Sequence, residues 1–207
     1  MSKTDPNQDL FPHDRVVFFS DAIFAIAITL LAIDVRLPES GEANGTHALI
    51  ATLVAYVISF LVTAQFWSNH LVSWRRVKHV TPGLFWLNVL QLLFVALMPF
   101  VTSVYSKVFI GVEKWPLTLY GVVLTGVSLF GFLCHRLIVR QMLAHGAITE
   151  NAAKVEVWGA ISPLLVFALI IPLSLVIPPW MGSLIFMAIF PLDIALTRWA
   201  KRRYPFD

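Results

Sequence analysis

The sequence predicts an all-α integral membrane protein with six transmembrane helices per subunit. Three observations carry that prediction. Of the 207 residues 58% are hydrophobic and only 13% charged, whereas a soluble domain has about a quarter of its residues charged. The mean hydropathy is +0.78. The apolar residues also gather into six runs, at roughly 16–37, 48–70, 82–105, 116–139, 155–177 and 180–199, and ~20 mostly apolar residues suffice for a helix to cross ~30 Å of hydrocarbon.

The polar start "MSKTDPNQDLFPHD" has no basic region followed by a short apolar core. The first run is therefore expected to be a retained span, not a cleavable signal. Between spans 2 and 3 lies "RRVKH", which membrane orientation explains more simply than nucleic-acid binding. Pro178 and Pro179 turn the chain tightly between spans 5 and 6. Pro99, Pro163 and Pro191 fall inside spans, where proline bends a helix and frees a carbonyl. The expected organisation is a cytoplasmic segment over 1–15, a single transmembrane domain over 16–200 and a basic tail over 201–207.

With the N-terminus inside, only Arg36, Lys107 and Lys114 of the 15 Lys and Arg residues fall outside. That asymmetry places both termini in the cytoplasm. The single Cys134 excludes an intrachain disulfide. There is no arginine at every third position of a span, no TVGYG loop and no Walker, HExxH or GxSxG motif. A voltage sensor, a carbonyl-type filter, an ATP-driven pump and a familiar hydrolase thus lose their sequence support. Neither an enzyme nor a cofactor site is expected, and nucleic acid is not an expected partner.

The first span, "RVVFFSDAIFAIAITLLAIDVRLP", has a definite face. Successive helical residues turn by about 100°, so with Ile26 at zero, Thr29 lies at about 300°, Leu30 at about 40° and Ile33 at about 340°. Such a stripe suits lipid, a neighbouring helix, or a narrow dry constriction around a symmetry axis with one ring of hydroxyls. Asp21 points about 140° away from Ile26, toward its own subunit, where a carboxylate needs partners. Trp67 and His70 of "QFWSNH", Asn88 of "LFWLNVLQ" and Arg15 are the candidates for one polar network at the inner end. The rival use of Asp21 and His70 is a proton relay in a coupled transporter.

Arg15-x-x-x-Phe19-Ser20-Asp21 followed by an apolar run with Thr29 resembles the R-x-x-x-F-S-D signature of the transmembrane protein 175 family of potassium channels. "FWSNH" and "WLNVLQLLFVALMPF" are similar to that family's next two helices. The resemblance is close over the first three spans and extends to the rest only in hydrophobic layout. It implies a six-helix subunit, a homotetramer in the cell membrane and a pore lined by the first helix. It further implies a constriction at Ile26, Leu30 and Ile33, and a potassium preference linked to Thr29. Potassium and other monovalent cations become the expected partners besides lipid, with no metal beyond permeating potassium. Small Ala22 and Ala27 flank the constriction here, and Asp34 stands near its outer end.

Overall fold

The computed structural model describes residues 11–35, 45–106, 114–176 and 189–205, and within them it is helical. Helix α1 spans His13–Leu30 and tightens into a 3₁₀ turn over Leu31–Asp34. Then come α2 (Gly45–Trp74), α3 (Pro82–Ala96), α4 (Met98–Ser106), α5 (Trp115–Ala144), α6 (Glu150–Gly159), α7 (Ser162–Leu173) and α8 (Ile189–Arg203). Five helical runs are long and apolar enough to cross a membrane: His13–Ile33, Gly45–Trp74, Pro82–Ser106, Trp115–Ala144 and Glu150–Leu173. The C-terminal half of the expected sixth span falls in α8. Its first half, the Pro178–Pro179 turn and the last residues of spans 1 and 5 lie outside the described residues.

Helices α1, α2, α5, α6 and α8 run past the hydropathy-based limits, and polar or glycine caps fix several helix ends. Thr81 accepts a hydrogen bond from the Leu84 amide at α3, and Thr149 accepts one from the Ala152 amide at α6, as N-caps do. At the other end of α5, Gly146 adopts φ 67°. The amides of Gly146 and Ala147 reach back to the carbonyls of Leu143 and Met142, a Schellman turn. Likewise α1 begins at His13, inside the expected N-terminal tail, and α8 runs on to Arg203.

Proline divides two of the spans. Pro99 has no N–H to give the carbonyl one turn back, and the third span breaks at Leu97 into α3 and α4. Pro163 breaks the fifth into α6 and α7. Its freed carbonyl, on Gly159, is taken up by the Ser162 hydroxyl.

Helix α5 is the hub, packed between α3 and α7. Its inward residues Leu117, Tyr120, Leu124 and Val127 join Phe24, Val95, Met98, Phe167 and Ile170 in one buried core. Tyr120 stacks on Tyr105 at 4.6 Å and shares a 2.8 Å hydrogen bond with Ser59 of α2. Glycine lets the backbones come close, since a Cβ on Gly126 would run into the Phe94 ring and one on Gly131 would meet the Gln91 amide at 2.8 Å.

Gly126→Ala separates two effects of opposite sign. Helix propensity alone favours alanine by ~1 kcal/mol, and overpacking costs ~1–3 kcal/mol. The Phe94 clash dominates, so the melting temperature falls in Gly126→Ala and recovers when Phe94→Leu is added. An unchanged or raised melting point in the single variant contradicts this packing.

Candidate functional site

Residues Val16, Ser20, Phe24, Ala27 and Leu31 form the buried face of α1. Their three- and four-residue spacing keeps them on one stripe, against α2, α3 and α4. On the other side Ile26, Leu30 and Ile33 are 57, 40 and 61% exposed, and Thr29 is exposed with them. The 3₁₀ turn at Leu31–Asp34 advances about 120° per residue instead of about 100°. Ile33 thereby moves by about 40° yet stays on the same arc. Ala27, expected beside the constriction, belongs instead to the bundle face, where it is buried. The side chain of Asp34 lies outside the described residues.

Thr29 spends its proton on its own helix. The hydroxyl is shared between the carbonyls of Ala25 at 3.0 Å and Ile26 at 2.9 Å. Its oxygen lone pairs are left to face outward as acceptors, midway among apolar neighbours.

Of the four partners expected around Asp21, Trp67 meets it, His70 and Asn88 belong to a separate set, and Arg15 joins neither. Asp21 is half-buried and accepts a 2.9 Å hydrogen bond from the Trp67 indole of α2. A separate, buried chain runs through Ser20 rather than Asp21. The Ser20 hydroxyl donates to the Val16 carbonyl at 2.8 Å, and the Asn88 amide of α3 donates to Ser20 Oγ at 2.9 Å. Asn88 Oδ1 lies 2.9 Å from His70 Nε2 of α2. An amide oxygen only accepts, so His70 Nε2 carries the proton. His70 Nδ1 has no hydrogen-bond partner among the described residues, and the ring sits between Phe24 and Trp74. Two further contacts anchor the start of α1: His13 Nε2 to the Trp74 carbonyl at 3.0 Å, and Phe11 stacked on Phe85 at 4.1 Å.

Arg15 is exposed and pairs with no described residue, and Phe19 is exposed too. Their bearings explain this: at about 340° and about 20° they continue the Ile26 stripe toward the inner end. Ser20, at about 120°, falls among Val16, Phe24 and Ala27. The same angular arithmetic that found the stripe thus identifies Ser20 as the residue facing the bundle.

Residues 15–99 match the family described as "Endosomal/lysosomal potassium channel TMEM175". Over these residues the chain is similar to the TMEM175 family. Among its relatives, a protein named potassium channel from Streptomyces collinus is 42% identical over 97 residues, covering 45% of this chain and 47% of its own. Another, from Chryseobacterium sp., is 27% identical over 129 residues, or 61% of this chain and 65% of its own. A third, from Chamaesiphon minutus, is 30% identical over 99 residues, or 45% and 49%. The chain thus spans about half to two thirds of these curated relatives.

The fold match is broader. The crystal structure of a lysosomal potassium-selective channel TMEM175 homologue from Chamaesiphon minutus superposes with a TM-score of 0.64 at 21% identity, covering 94% of this chain and 98% of that one. A threonine-to-alanine variant of the potassium channel MtTMEM175, in complex with a nanobody fusion, gives 0.64 at 16% identity over 98% and 99%. The family and the relatives matched are ion channels, not enzymes. The family match lies in the first three spans, where the α1 stripe and the Ser20–Asn88–His70 chain also lie.

Asn88→Leu removes the bridge and leaves His70 Nε2 buried without an acceptor, at a cost of about 1–3 kcal/mol, or a melting point lower by ~2–12 °C. Adding His70→Leu removes the orphaned donor and restores most of the loss. Strictly additive losses in a double-mutant melting cycle would show that the pair does not interact.

Proposed function

We propose that the protein is a passive potassium channel of the cell membrane, a homotetramer in which the exposed face of α1 lines a central pore. Both termini lie in the cytoplasm, as the distribution of Lys and Arg supports. The observation that carries the reading is the orientation of α1. One face is fastened by Ser20, Phe24 and Ala27, and Ile26, Leu30 and Ile33 are left bare on the other.

Four such helices around an axis stack three apolar rings, with Thr29 between the first two. A narrow apolar ring excludes ions by dewetting, and a shift or rotation of α1 re-wets it. The Thr29 oxygens, whose hydroxyl protons are directed to the backbone, replace part of a cation's hydration shell. One ring of neutral oxygens supports moderate selectivity for potassium over sodium. No hydrogen bond among the described residues joins Asp21 to His70, which favours this reading over a proton relay through the two, and so over a proton-coupled transporter.

Liposomes holding the purified protein are expected to take up potassium without a proton gradient and without saturating. Ile26→Asn wets the constriction and raises that flux severalfold at equal protein content. Thr29→Val keeps the volume and loses the oxygen, so the potassium-to-sodium permeability ratio falls toward one. Uptake that appears only with a pH gradient, or variants that conduct like the parent, would contradict the pore.

A further inference from the structure

The inner ends of α5 and α6 form a cleft of about 380 Å³ in which Phe132, Arg136, Arg140, Glu150, Lys154 and Trp158 are among the lining residues. Its chemistry is graded with depth. Helix α5 ends at Ala144 and α6 begins at Glu150. Arg140 and Lys154 therefore each lie four residues from the connection, about 6 Å along their helices. Arg136 and Trp158 each lie eight residues in, about 12 Å, and Phe132 twelve, about 18 Å. Charge comes first, then charge beside an indole, then hydrocarbon alone.

Arg136, Arg140 and Lys154 are exposed and pair with no carboxylate among the described residues. The nearby Glu156 is taken by Arg76 and lies 3.6 Å from His135 Nε2. Lys154 lies over the Tyr204 ring at 5.4 Å, and Trp158 packs edge-on against Trp199 at 5.3 Å, which holds the α6 wall in place. Three cations against Glu150 leave the cleft net positive. Basic groups facing an anionic leaflet, with tryptophan at the headgroup level, have the polarity profile of a phospholipid.

We propose that this cleft binds an anionic phospholipid. Arg136, Arg140 and Lys154 take the phosphate headgroup, and an acyl chain lies along Trp158 and Phe132. The assignment requires α5 and α6 to be embedded in a membrane and does not depend on the pore.

The test uses the full chain in detergent, with retained lipid counted by native mass spectrometry and melting followed in parallel. The probes are phosphatidylglycerol, phosphatidylcholine of matched chains, and inorganic phosphate. The parent is expected to retain phosphatidylglycerol over phosphatidylcholine and to melt higher with it, and inorganic phosphate should leave the melting point unchanged. R140Q/K154Q is expected to lose that preference by about twenty-five-fold, at about fivefold per basic group near an anionic surface. R75Q/K78Q removes the same charge from the exposed α2–α3 link and should keep the preference. Unaltered retention by R140Q/K154Q overturns the site. Equal losses in both pairs would reduce it to diffuse electrostatics, and stabilisation by inorganic phosphate equal to that by lipid would make it a soluble-anion site. Melting without lipid shows that each variant is folded.

Discussion

One side-chain amide sets the rotation of the first helix. Asn88 holds Ser20 of α1 with its nitrogen and His70 of α2 with its oxygen, both at 2.9 Å. Interhelical hydrogen bonds in membranes contribute about 0.6 kcal/mol on average, so this chain adds little to stability. Its effect is angular. A rotation of α1 by one residue, about 100°, would carry Ser20 away from Asn88 and turn the Ile26 stripe out of place. Phe24, 1% exposed one turn beyond Ser20, makes the same rotation sterically costly.

The rest of the bundle keeps Asn88 and His70 still. Helix α3 is seated against α5 through Gly126 and Gly131, which admit the Phe94 ring and the Gln91 amide. The Ser59–Tyr120 hydrogen bond ties α2 to α5. The break at Pro99 lets α4 take its own course and bury Met98, Val101 and Tyr105. Rigidity at α5 is thus transmitted through α3 and α2 to a serine on α1, and the surface left over is the one assigned to conduction.

Hydropathy made five of the six expected spans legible, because a bilayer demands long apolar runs and the described residues supply five of them. The proline breaks were also legible, since a missing N–H at Pro99 or Pro163 has a fixed consequence for the carbonyl one turn back. Angular arithmetic identified the outward stripe and turned Asp21 toward its own subunit, with Trp67 as one of four candidate partners. It did not decide which inner-end residues meet, because that depends on the relative rotation of α2 and α3. Hence a network centred on Asp21 was expected where the buried link is Ser20. The signature and its position among Val16, Phe24 and Ala27 both mark Ser20 in the sequence, but neither says that Asn88 reaches it. The tightening of α1 at Leu31 has no comparable signal, since no proline or glycine stands there.

The central claim is that one exposed side of α1 borders the ion path and its other exposed side does not. Cysteine substitution tests it most directly, in a chain whose buried Cys134 is replaced by serine. Thr29→Cys and Ile33→Cys lie on the stripe. Ala25→Cys and Ala32→Cys are equally exposed but sit at about 260° from Ile26. With a small thiol-reactive cation, potassium flux should stop in the first two and continue in the last two. Equal block at all four positions, or undiminished flux through Thr29→Cys and Ile33→Cys channels shown by mass to be modified, would contradict the account.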